Sequence, residues 1–561
     1  MSESYESIGA GFARTGRRGY DSAVFRTGLA ALAFAASVAA CDPGGWFGDD
    51  GTGFGATANS RDPETLVVAR PSDARDLDPA LPFDNESIEV LDQMYERLVR
   101  VRPGGTDLEP GLATSWDVAD GGKTWTFHLR SGVRFHDGTP MDADAVVFSL
   151  ERQRDPHHPF HRDRFQYWTT QFRNITKVEK IDDLTVRISI EASYAPFEAN
   201  MAMFPVSIVS PTAVAKYGDD FTTHPVGTGP FRFERWDKGH RLVLVKNDDY
   251  WGDKAEFERL VFEVIEDPRQ RLVALESGAV DMAHAILPEE LQYVELHPGL
   301  TLHETASNSV TYLAMNTMHP PFDDVRVRRA ANLAVNKEPI VKLAYQGLAI
   351  AASGPLPPTQ WGYHKVRASY PYDPTAARKL LALAQADGKF DPDKVYKLYV
   401  PSTPRPYLFD PERVARVIQA NLADVGIKTD LVLQPYAQHQ RALQNGDHDL
   451  CLFGWVGDNG DPDNFLYILF DRDNAEVGTA QNNAFYRDPE VHGLLVLAQR
   501  SEDKDDRERL YARVQEKIAD DAPWVPLAYS QVAIAARDDI QSVVINPTGH
   551  VVYARTRRIK R

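Results

Sequence analysis

Three carboxylates stand close together at Asp458, Asp461 and Asp463, in a segment that also contains Trp455 and Gly457. The segment reads GDNGDPDN, and Asn-Gly and Asp-Pro pairs are typical of turns, so it is expected to be a loop. Clustered carboxylates beside an aromatic ring could bind a cation. The same residues could instead only shape the turn, and this segment alone leaves both interpretations open.

The residues before this loop form an almost unbroken apolar run, Leu450 to Val456. A run of this kind is typical of a β-strand that is covered on both faces. The loop is therefore predicted to lie at the carboxyl end of a buried strand. Cys451 lies within the run and is expected to be a buried, unreactive thiol.

A second segment has the same organisation. A strand predicted over Lys394 to Val400 is followed by a proline-rich loop that contains Arg405 and Tyr407. Asp410 is the predicted N-cap of the next helix, which ends before Gly426, and residues 427–433 then read as a strand. The sequence thus predicts a βαβ unit, and open α/β sheets bind ligands at the carboxyl ends of their strands.

Arg405 and Asp458 follow two such strands, so they are predicted to offer a cation and an anion to one cleft. A ligand with an ammonium and a carboxylate, such as a peptide, would suit this pair. Trp455, Trp361 and Tyr407 are candidate walls of the pocket, although large aromatic residues are as often core residues. Asp461 and Asp463 are interpreted as loop-shaping residues.

Several motifs together resemble one known family. They are GWVGDNGDPDNF, the RPY at 405–407, the LEPGL…SLER region, PVGTGPFRFERW and DYWG. In this order they are similar to the peptide- and nickel-type extracellular solute-binding proteins of bacterial ABC importers, and most closely to the dipeptide-binding members. The resemblance implies that Asp458 holds a peptide ammonium and Arg405 its carboxylate, with Gly457, Trp455, Tyr407 and Trp361 as further ligand-binding residues.

The resemblance also implies the fold: an α/β protein of two lobes joined by a hinge, with a discontinuous first lobe and an inserted α+β domain. The expected domains are a signal peptide (1–40), a lipid-anchored tether (41–61), the first lobe (62–99, 216–309 and 530–561), the inserted domain (100–215) and the second lobe (310–529). Two local predictions are a helix over residues 87–100 and highly charged helical structure over residues 490–518.

Composition sets broader limits. The chain has 561 residues, enough for two or three domains, and a formal net charge of −18. A surface this acidic makes nucleic acid an unexpected partner. The expected partners are short peptides and the permease subunits of an ABC importer, and the protein is expected to be a monomer without a cofactor.

The N-terminal residues predict export. Arg14, Arg17, Arg18 and Arg26 precede an apolar stretch that ends at Ala40 and is too short to span a membrane. Val38-Ala39-Ala40-Cys41 resembles the lipobox of bacterial lipoproteins, which implies cleavage before Cys41 and a lipid on its sulfur. A cysteine after small residues also occurs by chance. The expected location is the periplasm or the extracytoplasmic face of the membrane.

The predicted function is capture of a solute without catalysis. Alternatives are a member of the same family that binds a nickel chelate, heme, an opine or an antimicrobial peptide, and a secreted hydrolase, for which no motif is found. A metal site at His157, His158 and His161 is not expected, because Pro156 and Pro159 prevent a regular helix that would present the three rings together.

Overall fold

The computed structural model of the protein describes residues 62–82 and 84–559. These residues belong to one compact unit of the chain, Ala58–Arg561. The predicted signal peptide, Cys41 and the predicted tether lie outside the described residues, so the predictions about them stay predictions. In the described part of the chain, no helix combines the length and the apolar character that a membrane crossing requires.

The strands are numbered in chain order. They are β1 Thr65–Arg70, β2 Val99–Val101, β3 Leu108–Pro110, β4 Ala113–Ala119, β5 Thr124–Leu129, β6 Ile175–Asp182, β7 Thr185–Ile190, β8 Phe231–Asp237, β9 Arg241–Lys246, β10 Arg259–Val264, β11 Met282–Ala283, β12 Leu300–Ala306, β13 Ser309–Met315, β14 Ala349–Ala351, β15 Val395–Pro401, β16 Lys428–Gln434, β17 Leu450–Val456, β18 Trp524–Arg537, β19 Ile540–Gln541 and β20 Arg557–Arg558.

The α-helices are numbered in the same way. They are α1 Asn85–Met94, α2 Ala143–Arg154, α3 Phe197–Asn200, α4 Pro211–Tyr217, α5 Pro268–Glu276, α6 Leu291–Leu296, α7 Val325–Ala334, α8 Lys337–Ile340, α9 Pro374–Ala386, α10 Pro411–Asp424, α11 Tyr436–Asn445, α12 Asp463–Phe470, α13 Pro489–Arg500 and α14 Lys504–Asp521. Short 3₁₀ segments occur at Phe204–Val206, Gly218–Thr223, Pro288–Glu290, Arg472–Asn474 and Tyr553–Arg555, and π-helical turns at Trp168–Phe172 and Val341–Tyr345.

One large mixed sheet runs through the molecule, in the order β16-β15-β17-β13-β18-β11-β1-β10-β9-β8, with β12 and β14 also paired to β18. The first part, β1 and β8–β12, we call lobe one. The second part, β13–β17, we call lobe two. Each lobe packs its own hydrophobic cores, so the chain buries apolar surface in more than one centre.

The long strand β18 belongs to both lobes. Its residues Trp524 to Ala528 pair with β13 in lobe two, and its residues Gln531 to Arg537 pair with β12 in lobe one. The chain also crosses between the lobes from β12 to β13, through Ser307 and Asn308. These two neighbouring crossings are the connections about which the lobes can move relative to each other.

A smaller antiparallel sheet, ordered β4-β5-β7-β6, lies outside the large one. Its inward residues alternate along the strands, as period-two burial requires. They pack with α2 and the segment up to Ile208 into a separate core. We call residues 113–208 the small domain. The domain boundaries predicted from the sequence stay predictions.

The βαβ unit predicted around Arg405 is confirmed as β15–α10–β16, with β15 parallel to β16. The carboxylate of Asp410 caps α10 by accepting a hydrogen bond from the amide of Arg413 at 3.0 Å. Val414, Ile418 and Leu422 form the buried stripe of the helix, one turn apart.

One of the two local predictions is wrong. The helix expected over residues 87–100 ends at Met94, because Tyr95 adopts an extended conformation and the following residues pair as β2 instead. The helical structure expected over residues 490–518 is confirmed, and it consists of two helices, α13 and α14, which pack against each other. Asp503 caps α14 through the amide of Asp506 at 3.0 Å, and this cap marks the break.

Candidate functional site

Strand β17 is buried on both faces, as its apolar sequence predicts. Leu450 and Leu452 pack into one core of lobe two, and Cys451 and Phe453 pack into the core on the opposite face. Cys451 is fully buried, and burial raises the pKa of its thiol far above the usual range. The strand therefore holds the loop that follows it in a fixed position.

The two loops singled out in the sequence leave the sheet at the same edge. Strands β15 and β17 are parallel neighbours, with Leu398 opposite Leu450 and Tyr399 opposite Cys451. Because both strands run in the same direction, the segments after them, with Arg405 and Asp458, emerge at one end of lobe two.

Asn464 organises the beginning of the loop after β17. Its Oδ1 atom accepts hydrogen bonds from Nε1 of Trp455 at 2.9 Å and from the backbone amide of Asp458 at 3.1 Å. Gly457 donates its own amide to the carbonyl of Asn308, at the crossing between the lobes, at 2.8 Å. A Cβ atom at residue 457 would lie 2.5 Å from Nδ2 of Asn308, so this close approach requires glycine.

Asp458 faces a cavity of about 410 Å³ between the two lobes. Asp458 and Gly460 line it from lobe two, and Arg100, Phe204 and Trp251 line it from the opposite side. Burial raises the pKa of the Asp458 carboxyl to about 6, although the nearby side-chain amide of Asn464 opposes the shift. Among the described residues, no cation pairs with this carboxyl. A ligand cation would therefore be favoured next to it.

Arg405 does not line this cavity. Its guanidinium lies over the ring of Tyr436, 3.8 Å from the centroid, and its Nε atom is buried without a hydrogen-bond partner. Its backbone amide and carbonyl pair with those of Leu408 at 2.9 and 2.8 Å, which closes a tight turn. No ion pair with Arg405 is found in the described part of the chain.

Tyr407 is a buried residue that fixes the Arg405 turn to β17. Its ring lies against Gly454, where a Cβ atom would be 2.3 Å from Cδ2 of the tyrosine. Its carbonyl accepts a hydrogen bond from the hydroxyl of Tyr345 at 2.9 Å, and its own hydroxyl is buried without a partner. Burial holds the pKa of Tyr407 well above its usual range, and the nearby Arg405 acts in the opposite direction.

Trp361 lies beside a second cavity, of about 620 Å³, together with Asp461 and Arg507. The Arg507 guanidinium lies 5.0 Å from the centroid of the Trp361 ring. The two cavities share Gly460 and Thr106 as lining residues, and a Cβ atom on residue 460 would be 2.1 Å from the carbonyl oxygen of Thr106. The contact between these two residues thus lies where the cavities adjoin.

The sequence-based analysis missed the wall that lobe one contributes. Glu96 is the centre of that wall, since its carboxylate accepts hydrogen bonds from Thr228 Oγ1, Trp251 Nε1 and Tyr250 Oη at 2.8, 2.9 and 3.0 Å. Burial raises the pKa of Glu96, and these hydrogen bonds oppose the shift. The DYWG motif contains two of the three donors, but nothing in it indicates which carboxylate they contact.

Two histidines of the PHHPFH segment form hydrogen bonds with backbone groups nearby in the sequence. His161 Nδ1 bonds the carbonyl of Arg152 at 3.1 Å, and His158 Nδ1 accepts from the amide of Phe160 at 3.2 Å. A different cluster in the described structure, Asp471, Asp473 and His492, has ligand atoms close enough for a metal ion. There His492 Nδ1 bonds Asp471 at 2.9 Å, so these two groups satisfy each other.

Comparison with known proteins identifies clear relatives. Residues 107–476 match the family described as "Bacterial extracellular solute-binding proteins, family 5 Middle". Heme-binding protein A of Haemophilus influenzae is 35% identical over 88% of this chain and 92% of its own length. The dipeptide-binding protein of Escherichia coli is 33% identical over 87% of this chain and 93% of its own length.

Solved structures agree with these relatives. The periplasmic binding protein DppA of Helicobacter pylori, solved in complex with the peptide STSA, superposes with a TM-score of 0.76 at 33% identity, covering 88% of this chain and 98% of its own. HbpA2 of Haemophilus parasuis gives a TM-score of 0.81 at 31% identity, covering 88% and 100%. The predicted fold class, α/β with two lobes, is confirmed by these matches.

Proposed function

The chain belongs to family 5 of the bacterial extracellular solute-binding proteins, and we propose that it captures short peptides, dipeptides above all, and delivers them to the permease of an ABC importer. The family is an extracytoplasmic solute-binding one and is not a family of enzymes. We accordingly propose a binding protein without catalytic activity or a cofactor of its own.

The observation that carries this proposal is that the Asp458 carboxyl has no described cation as a partner. The Asp458 side chain is half-buried at the carboxyl end of β17, borders the cavity between the lobes and has no described cation beside it. Burying an unpaired carboxylate is costly, and the ammonium of a peptide would remove that cost by forming a charge-assisted hydrogen bond. The relatives named for dipeptides and the relative bound to the peptide STSA support the same ligand class.

We propose that Arg405 binds the peptide carboxylate. Its guanidinium lies over the ring of Tyr436, is carried by the loop after the strand next to that of Asp458, and has no described ion pair. A guanidinium can hold a carboxylate with two parallel hydrogen bonds. Because Arg405 lies outside the cavity that Asp458 borders, a ligand that reaches both groups must extend along the loops of lobe two.

The other predicted site residues take supporting roles in this proposal. Trp455 does not line the cavity, but its indole bonds Asn464, which also bonds the Asp458 amide. Gly457 brings the loop close to the crossing between the lobes. Tyr407 packs against β17 and fixes the position of the Arg405 turn. Trp361 borders the second cavity, where a larger peptide side chain would be accommodated.

Heme is a second candidate solute, because one relative is a heme-binding protein. Heme iron is held by side chains such as histidine or methionine. His550 and Met203 line the cavity. However, His550 Nδ1 bonds Asp92 at 3.0 Å and its Nε2 atom is buried, and Met203 Sδ lies 4.0 Å from Asn459 Nδ2. Neither side chain is free to bind iron without moving, so we favour peptides.

Native mass spectrometry of the purified protein, followed by extraction and sequencing of the bound solute, tests the proposal. Adducts with the masses of short peptides are expected. Titration of the emptied protein with heme, followed in the visible spectrum, tests the second candidate. A heme absorption band that saturates at one equivalent, together with no binding of dipeptides, would replace peptides with heme as the solute.

We also propose that the protein is a monomeric lipoprotein, held at the extracytoplasmic face by a lipid on Cys41. Three features of the sequence support this anchor: the apolar stretch before Cys41, the small residues next to it and the glycine-rich segment after it. We further propose the division into two lobes and an inserted domain that the sequence predicts.

A further inference from the structure

The second half of the loop after β17 forms hydrogen bonds between the small domain and lobe two. Tyr194 of the small domain donates its hydroxyl to Oδ2 of Asp463 at 3.1 Å. The amide of the next residue, Ala195, donates to the carbonyl of Gln499 at 2.7 Å. Because each bond joins the two parts of the molecule, neither bond can persist when they separate.

Asp463 accepts the first of these bonds with a buried carboxyl that has no described cation bonded to it. It is 3% exposed, and its hydrogen-bond donors are the neutral groups of Tyr194 and Gln499. The side-chain amide of Gln499 reaches both carboxylate oxygens, at 3.1 and 3.2 Å. Among the described residues, no cation lies within ion-pair distance of Asp463.

Charged groups of both signs lie around Asp463. Asp461 lies two residues before it, and burial, followed by the charge of Asp461, raises the pKa of Glu198 in the small domain. The Arg507 guanidinium of α14 bonds Asp461 at 2.7 Å, and Arg102 and Lys504 line the same cavity as Asp461 and Glu198. Tyr194 and Tyr511, the neighbouring phenols, have pKa values raised well above the usual range by burial and by the carboxylates, so both stay neutral.

We propose that Tyr194, Asp463 and Gln499 form a latch that holds the small domain on lobe two and that takes up a proton as it closes. A protonated Asp463 adds no second negative charge beside Asp461, and its unprotonated oxygen still accepts a hydrogen bond. An ionised Asp463 is instead a second buried carboxylate next to Asp461, and the nearby Arg507 guanidinium bonds Asp461 rather than Asp463, which is unfavourable.

The direction of the pH dependence follows from the two states of the latch. Burial, and next the charge of Asp461, raise the pKa of Asp463 to about 7 when the latch is closed, although Arg507 and the hydrogen bonds from Gln499 and Tyr194 act in the opposite direction. When the parts separate, water reaches the carboxyl and removes the effect of burial, so the pKa returns toward its usual value. The stabilisation of the closed state is therefore complete at low pH and is lost as the pH rises through about 7. The ratio of closed to open protein is expected to fall about tenfold from pH 6 to pH 8.

Hydrogen exchange at the Ala195 amide measures this ratio directly, since its described hydrogen bond is the one to Gln499. The experiment uses the full chain without ligand, so its result does not depend on the identity of the solute. After correction for the intrinsic exchange rate, protection of Ala195 should be about tenfold higher at pH 6 than at pH 8.

Three variants separate the latch from general effects of pH. Asp463→Asn should protect Ala195 equally at pH 6 and pH 8, because the amide cannot ionise but still accepts from Tyr194. Tyr194→Phe, which keeps the ring, should lower protection at both pH values. Asp447→Asn, at an exposed position of lobe two, should behave like the parent. Equal protection of the parent at both pH values, or an unchanged tenfold difference in Asp463→Asn, would overturn the proposal.

Discussion

The backbone amide of Asp458 donates a hydrogen bond to Oδ1 of Asn464 at 3.1 Å, and the same oxygen accepts from Nε1 of Trp455. Asn464 does not line the cavity. It fixes the backbone of Asp458, and through the backbone it sets the position of the carboxyl that borders the cavity.

Asn464→Ala should therefore weaken dipeptide binding although residue 464 does not line the cavity. Loss of these two hydrogen bonds, at roughly 1 kcal/mol each, is expected to lower the affinity about five- to thirtyfold. Isothermal titration calorimetry with a dipeptide measures the change, and Asn445→Ala, at the exposed end of α11, is the matched control. An unchanged affinity would mean that the loop holds its conformation without Asn464.

Gly460→Ala should keep lobe two apart from the β2–β3 turn. The added Cβ atom would lie 2.1 Å from the carbonyl oxygen of Thr106 in the β2–β3 turn, a contact that moving this turn and lobe two apart relieves. We expect a larger radius of gyration in small-angle X-ray scattering and a dipeptide affinity reduced at least about tenfold. Gly493→Ala, in α13 and with open space around the new atom, is the control and should leave both quantities unchanged. A compact Gly460→Ala variant would contradict this prediction.

Cys41→Ser should release the protein from the membrane. A single acyl chain gives only marginal membrane binding, but the several chains of a lipoprotein anchor hold a protein stably. Fractionation of cells that produce the parent or the variant measures this, with the variant expected in the soluble extracytoplasmic fraction. If parent and variant fractionate alike, Cys41 is not the anchor.

Arg405→Ala should abolish discrimination between a dipeptide and its C-terminally amidated form. A charge-assisted pair contributes about 1.5–3 kcal/mol, so the parent should prefer the free acid by roughly ten- to a hundredfold. Calorimetric titration of both ligands against the parent, Arg405→Ala and the exposed control Arg441→Ala measures the preference. The same preference in the parent and in Arg405→Ala would remove Arg405 from the site.

Much of lobe two could be predicted from the sequence, because its signals are local. The apolar run of β17, the Asp410 cap and the stripe of α10 each lie within a few residues of one another, and the structure contains all three. The helix expected over residues 87–100 failed for a tertiary reason. Leu98 continues the helical spacing of the preceding apolar residues, but Leu98 and Val99 pack into the core of the small domain from an extended segment.

Only the part of the site in lobe two could be predicted, because the other part depends on contacts between residues far apart in the sequence. Asp458 and Arg405 follow strands with strong local patterns, so their common edge could be derived. The Glu96 wall depends on contacts between residues more than 130 positions apart, such as the bond from Thr228. Asp461 and Asp463 were interpreted as loop-shaping, and the effect of the Asp461 charge on Glu198 of the small domain becomes visible only in the structure.

The most direct test of peptide capture compares a free dipeptide with its N-acetylated form, titrated against the parent and Asp458→Asn. Acetylation removes the ammonium and leaves the rest of the ligand almost unchanged. The parent should bind the free dipeptide at least ten- to a hundredfold more tightly than the acetylated one, and Asp458→Asn should bind both weakly and almost equally, with its fold intact by circular dichroism. Equal affinity of the parent for the two ligands, or an Asp458→Asn variant that binds the free dipeptide as tightly as the parent, would contradict the assignment of Asp458 as the ammonium-binding residue.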